Sequence, residues 1–268
     1  MTKMRMIQRI LLTGLLVVLA GCATTPEERD PRDPLEGFNR GVHQFNEAID
    51  KAVMTPVAKA YQAITPQPVD RGVTNFFGNL ADVGSAVNNL LQFKLARASS
   101  DIGRIVINST IGLFGLFDVA THLHLEKYGE DFGQTLGYWG IAPGPYIVLP
   151  ILGPSSLRDT VGVVGDWYLD PVNYVDDDEW RWGLHILRAV DKRADLLSAS
   201  NVLEEAALDK YAFTRDAYLQ RREGLVKDGG SSSGEDTSDD EAWLDDLAGD
   251  DDVGAEADAA PEEVPAEG

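Results

Sequence analysis

The stretch FGQTLGYWGIAPGPYIVLPILGPSSL, Phe132–Leu157, decides how this chain can fold. Its 26 residues hold five glycines and four prolines and no charged side chain. The rings of Pro143, Pro145, Pro150 and Pro154 each remove a backbone donor and clash one turn back, so a continuous helix is excluded. A membrane-crossing helix needs about 20 apolar residues in one hydrogen-bonded rod, because lipid offers no partner to a freed backbone group. The segment is therefore too apolar for a surface loop and too broken to span. Two settings remain open. One is irregular backbone packed in protein at membrane depth or along a cavity, and the other is a buried connector inside a soluble helical core. Gly137, Trp139, Pro143, Pro145, Tyr146 and Pro150 are its candidate membrane-embedded residues.

Working outward, the 268 residues carry 44 Asp and Glu against 23 Lys and Arg, a net charge of −21. That balance excludes a nucleic-acid partner, whose phosphates demand a basic face. The charge is uneven: residues 229–268 hold 15 acids and no base, whereas the first 21 residues hold three bases and no acid. Lys3, Arg5 and Arg9 followed by the apolar run Ile10–Ala20 form an export signal, too short to span. The sequence Leu19-Ala20-Gly21-Cys22 resembles the bacterial lipobox, and Cys22 is the single cysteine of the chain. The resemblance implies a diacylglycerol and a further acyl chain on Cys22, with Ala23 favouring delivery to the outer membrane. No other cofactor is expected. With Cys22 consumed, the body has no thiol and must hold together without a disulfide.

The organisation expected is a signal peptide over 1–21, a lipidated tether over 22–33, a helical domain over 34–228 and a disordered acidic tail over 229–268. Leu35, Phe38, Val42, Phe45, Ile49 and Val53 recur at helical spacing, with Asp33 as N-cap and Pro34 at the first helical position. Pro56 ends that helix or opens the next. A second amphipathic helix runs from Val69 to Leu91, and a third starts near Ser100 and Asp101 and continues through the uncharged run Ile105–Phe117. Gly112 and Gly115, three apart in that run, suit close packing or a hinge, and Asp118 follows at its end. A short helix follows Leu157, and helices resume over Trp180–Leu197 and near Asn201–Leu225. No period-2 series signals a strand, so the body is expected to be all-α. In the tail, Trp243, Leu244 and Leu247 suit a short helix that docks into a partner's groove.

Catalytic chemistry is thin. Gly153-Pro154-Ser155-Ser156 lacks the second glycine of a nucleophile elbow, and no phosphate-binding glycine loop or cysteine cluster exists. His122, His124 and Glu126 lack a further ligand at helical spacing for a metal. Asp176–Glu179 lacks the calcium-loop pattern and suits negative charge ahead of a helix.

Four segments together resemble the MlaA/VacJ family of outer-membrane lipoproteins. They are DPLEGFNR at Asp33–Arg40; the run from Arg104 through Asn108-Ser-Thr-Ile-Gly-Leu-Phe-Gly-Leu-Phe-Asp118 to Ala120; Phe132–Gly137 with Gly144-Pro-Tyr146, Leu149-Pro150 and Leu157-Arg158-Asp159; and Asp209 through Tyr211, Arg215, Ala217 and Tyr218 to Arg221. The resemblance implies a ring of amphipathic helices lying in the periplasmic leaflet of the outer membrane around a central channel. Phospholipids misplaced in the outer leaflet would pass through it to a soluble periplasmic carrier, beside trimeric porins. It implies no catalytic residues, maps the lipidated cysteine onto Cys22, and puts Gly112–Asp118 on a segment that governs channel opening. A porin-associated scaffold without transport is the alternative, and an enzyme acting on phospholipids is the remaining one.

Overall fold

The computed structural model describes residues 30–200 and 207–228. The signal peptide, Cys22, most of the tether, and the tail with Trp243, Leu244 and Leu247 lie outside the described residues. The body is helical: α1 (Glu36–Ile49), α2 (Thr55–Ile64), α3 (Gln67–Leu91), α4 (Leu95–Thr110), α5 (Val119–His122), α6 (Phe132–Tyr138), α7 (Leu157–Leu169), α8 (Asp178–Asp195) and α9 (Lys210–Val226). Between α6 and α7 stands an antiparallel hairpin, β1 (Tyr146–Leu149) and β2 (Gly153–Ser156).

The hairpin corrects the expectation that no strand forms. Its register pairs Tyr146 with Ser156 and Leu149 with Gly153. A four-residue strand is too short to show alternation in sequence, and the prolines that exclude a helix are tolerated at hairpin edges. The outer edge of β1 is closed by α1. Asn39 donates from Nδ2 to the Tyr146 carbonyl at 3.0 Å and accepts from the Val148 amide at 2.9 Å. Two turns on, Asn46 repeats the pattern on the Leu149 carbonyl and the Ile151 amide. Side-chain amides thus stand in for a third strand and satisfy an edge that would otherwise be buried unpaired.

The start of α1 also differs from expectation. Leu35 is the N-cap, and the Asp33 carboxylate turns inward to accept from Asn39 Nδ2 at 2.8 Å and from the Tyr211 hydroxyl. A single π turn, Asp50–Met54, carries α1 into α2, where Pro56 cannot donate to the preceding turn. Helix α4, expected to continue through Phe117, ends at Thr110, seven residues before the uncharged run does.

Packing is close where glycines face each other. A methyl on Gly162 of α7 would lie 2.5 Å from the Gly133 amide nitrogen of α6, so these helices touch backbone to backbone. Arg222 of α9 then locks both. It pairs with Asp131, the N-cap of α6, and at 2.9 Å with Asp159 in the first turn of α7, which also accepts from the Tyr218 hydroxyl at 2.7 Å.

Candidate functional site: an apolar rim on a polar spine

Helices α3 and α4 meet through polar side chains. Asn79, Asp82, Ser85 and Asn89 line the buried face of α3 at spacings of three and four, and Asp101, Arg104 and Asn108 line that of α4. Asp101 Oδ2 accepts from Ser85 and Asn89, each at 2.8 Å. Arg104, only 2 % exposed, donates to Asp82 at 3.3 Å, to Asp118 at 2.7 Å and to the Leu125 carbonyl at 2.7 Å. Further along, Gln92 bridges Glu130 and Thr135, and Thr135 donates to Asn88. Buried polar groups at this density are stable only because nearly every one is paired.

Asp118, at the end of the uncharged run, belongs to this spine. Its Oδ1 caps α5 through the Thr121 amide at 3.1 Å and accepts from Asn108 at 2.9 Å, while Oδ2 holds Arg104. Burial alone would raise its pKa, but the bonds from Thr121, Asn108 and Arg104 outweigh it and hold the carboxyl at about 2. Asp101, with no cation against it, is pushed by burial up to about 6, the bonds from Ser85 and Asn89 restraining the rise.

The turn 111–117 leads from the end of α4 to Asp118 and lies against Asn75 and Asn79 of α3. Ile111, Leu113, Phe114, Leu116 and Phe117 are all exposed, Phe114 by 79 %. Gly112 and Gly115 do not share a helix face, because the helix has already ended; each has a local steric role instead. A Cβ at Gly112 would lie 2.2 Å from the Phe117 carbonyl oxygen. Gly115 has a φ of +89° and sits on the Asn79 side chain, and Leu113 and Phe114 are also left-handed. Backbone bonds from Gly115 to Asn108 and from Phe117 to Gly112 fix the turn from within.

The Gly/Pro stretch contributes a second apolar edge. Trp139 is exposed and donates to the Leu91 carbonyl at 3.2 Å, and Gly137 packs against Arg158 and Val226. The Pro143 and Pro145 carbonyls accept from Arg158 and Leu157. Tyr146 is buried, whereas Pro150 is exposed beside Ile151 and Leu152. Neither edge brings His122, His124 or Glu126 into a ligand set: among the described residues no group of three or more His, Cys, Asp or Glu is disposed to hold a metal.

Sequence reasoning missed the spine. It scanned for apolar periodicity, whereas the polar residues of α3 and α4 have helical periodicity of their own. That second stripe, made of Asn, Ser, Asp and one Arg, was the available signal.

Large apolar side chains therefore point outward and polar ones inward, and no helix among the described residues is long and apolar enough to cross a membrane. The inversion defines the class: a helical protein with an exposed apolar rim over a polar, hydrogen-bonded interior. The chain belongs to the MlaA lipoprotein family, whose model matches residues 31–225. It is 33 % identical over 254 residues to the intermembrane phospholipid transport system lipoprotein MlaA of Escherichia coli, covering 91 % of this chain and 97 % of that one. The Haemophilus influenzae protein of the same name is 34 % identical, over 82 % of this chain and 92 % of its own. An uncharacterized Rickettsia bellii protein is 34 % identical over 74 % and 78 %. A solved structure described as "Structural basis for maintenance of bacterial outer membrane lipid asymmetry" superposes with a TM-score of 0.65 at 33 % identity, covering 74 % of this chain and all of that one.

Proposed function

We propose that the protein is an outer-membrane lipoprotein that takes phospholipids misplaced in the outer leaflet through a channel in its helical body and passes them to a soluble periplasmic carrier. Lipid asymmetry of the outer membrane is thereby maintained. The observation that carries this reading is the inversion of the body: a polar, hydrogen-bonded interior suits the charged head of a phospholipid, and an apolar rim suits its tails. The names of the Escherichia coli and Haemophilus influenzae relatives and the subject of the related solved structure support it. Cys22 carries the acyl anchor, a trimeric porin stands alongside, and the turn 111–117 with Gly112 and Gly115, together with Asp118 at its end, governs opening. Transfer needs no catalytic group and follows the free energy of the lipid on each side.

Deleting the gene is expected to raise outer-leaflet phospholipid, read by surface-accessible phospholipase digestion, and to raise detergent sensitivity. The wild-type gene restores both, whereas a variant whose passage is closed by an engineered disulfide does not. Full restoration by the closed variant would replace transport with a porin-associated scaffold, and unchanged asymmetry on deletion would remove both.

A further inference from the structure

One exposed path on the molecule grades from aliphatic to aromatic, with acidic residues among the aromatics at its far end. It begins at the hairpin tip, where Ile151 and Leu152 are largely exposed. It continues along one face of α7 through Leu157, Val161, Val164 and Tyr168, at helical spacing and each more than half exposed. Trp167 flanks Tyr168, and Tyr174 and Trp180 follow on the 3-10 turn Pro171–Tyr174 and at the start of α8. Asp176–Glu179, all exposed, lie between Tyr174 and Trp180 in the chain.

The aromatic end is rigid. Trp167 stacks on His185 with ring centroids 5.4 Å apart and planes within 12°. His185 Nε2 bonds Asn173 Oδ1 at 2.9 Å, Asn173 donates back to the Trp167 carbonyl at 2.6 Å, and the Tyr174 hydroxyl donates to the Tyr168 carbonyl at 2.7 Å. Arg188, paired with Asp170 at 2.5 Å, closes the cluster against His185 Nδ1 at 3.0 Å.

A protein-binding patch has an apolar centre with a polar rim on all sides. This surface changes in one direction only, along a helix axis. Trp and Tyr concentrate at the headgroup level of a bilayer, aliphatic side chains below it and acids in the water above. From Leu157 to Tyr168 the helix rises about 16 Å, close to half of a ~30 Å hydrocarbon core. We infer that α7 runs along the depth of a single phospholipid leaflet, hairpin tip toward the bilayer mid-plane, with Trp167, Tyr168, Tyr174 and Trp180 at headgroup level. This rests on the proposed seating of the body in a membrane and adds its orientation.

Single-tryptophan forms of the full-length lipidated protein test it. Trp139, Trp167, Trp180, Trp182 and Trp243 are replaced by Phe except for the one reporter; other reporters are Ile151→Trp, Val161→Trp and Phe114→Trp in the all-Phe background. Each is reconstituted into phosphatidylethanolamine–phosphatidylglycerol vesicles brominated near the headgroup or near the chain end, with folding checked by circular dichroism. Trp180 is expected to be quenched about twofold more by the shallow bromines, Ile151→Trp about twofold more by the deep ones, and Val161→Trp between them, given the thickness of a leaflet. Acrylamide in the water should reach Trp180 and spare Ile151→Trp. Equal or reversed depths for Trp180 and Ile151→Trp would overturn the orientation, as would acrylamide quenching of the whole stripe, which would assign it to a protein partner or to solvent. The Phe114→Trp form separates the two ideas: lipid quenching there with none along α7 removes only the orientation, and its loss everywhere removes the membrane seating itself.

Discussion

Single atoms decide the behaviour of the turn 111–117. The hydrogen of Gly112 is the only side chain that fits, with a would-be Cβ 2.2 Å from a carbonyl oxygen. Gly112→Ala is therefore expected to cost about 2 kcal/mol or more, read by chemical denaturation in detergent; wild-type stability would show that the turn yields. Asp101 sets a pH dependence. Its pKa is raised from 3.8 to about 6, so the native state holds the proton more tightly than the unfolded chain. Its contribution to stability is present below about pH 4 and is lost as pH rises through about 6, a cost of order 2–3 kcal/mol at neutral pH. Its Oδ1 and the Oδ1 of Asn89 are both buried without a partner. Asp101→Asn should raise the melting temperature at pH 7.5 and flatten its change between pH 4 and 6. An unaltered pH profile would show that Asp101 titrates normally. The tight turn is legible in the sequence only as two glycines in an apolar run, because the atoms that crowd them come from Phe117, Asn108 and Asn79.

At the scale of elements, the hairpin depends on α1. Asn39 gives one amide donor and one acceptor to β1, a pairing no other small side chain reproduces. Asn39→Asp removes the donor and sets a carboxylate against the Tyr146 carbonyl and Asp33. It should cost about 2–4 kcal/mol by stranding the Tyr146 carbonyl, although Asp keeps the acceptor for the Val148 amide; unchanged stability by chemical denaturation would mean the hairpin does not depend on the Asn39 donor. The motif DPLEGFNR held this residue in view, yet its apolar positions drew the helix and left Asn39 without a role. The helices themselves followed from apolar spacing, with ends shifted where local chemistry intervened. Asp33 failed as a cap because Tyr211, far along the chain, competes for its carboxylate.

For the molecule as a whole, the apolar rim should bind lipid independently of the acyl anchor. The chain from residue 22 onward carrying Cys22→Ala is expected to remain bound to phosphatidylethanolamine–phosphatidylglycerol vesicles through carbonate washing, since the exposed side chains on the turn 111–117, the hairpin tip and α7 each contribute about 1.5–3 kcal/mol when covered. Its release into the wash as a compact monomer would place all membrane affinity on the lipidated cysteine. By itself the sequence determined that the body is mostly helical, that no segment could span, and that the Phe132–Leu157 stretch is not one continuous helix, since these follow from local rules: side-chain period, run length and proline geometry. That the stretch folds instead as the short helix α6 and a hairpin was not legible there. Only the tertiary structure decided that polar stripes face inward and apolar ones outward. A helix with two stripes has no local preference for which one is buried, and that choice is made by partners distant in sequence, such as Asp82 with Arg104 and Arg222 with Asp131 and Asp159.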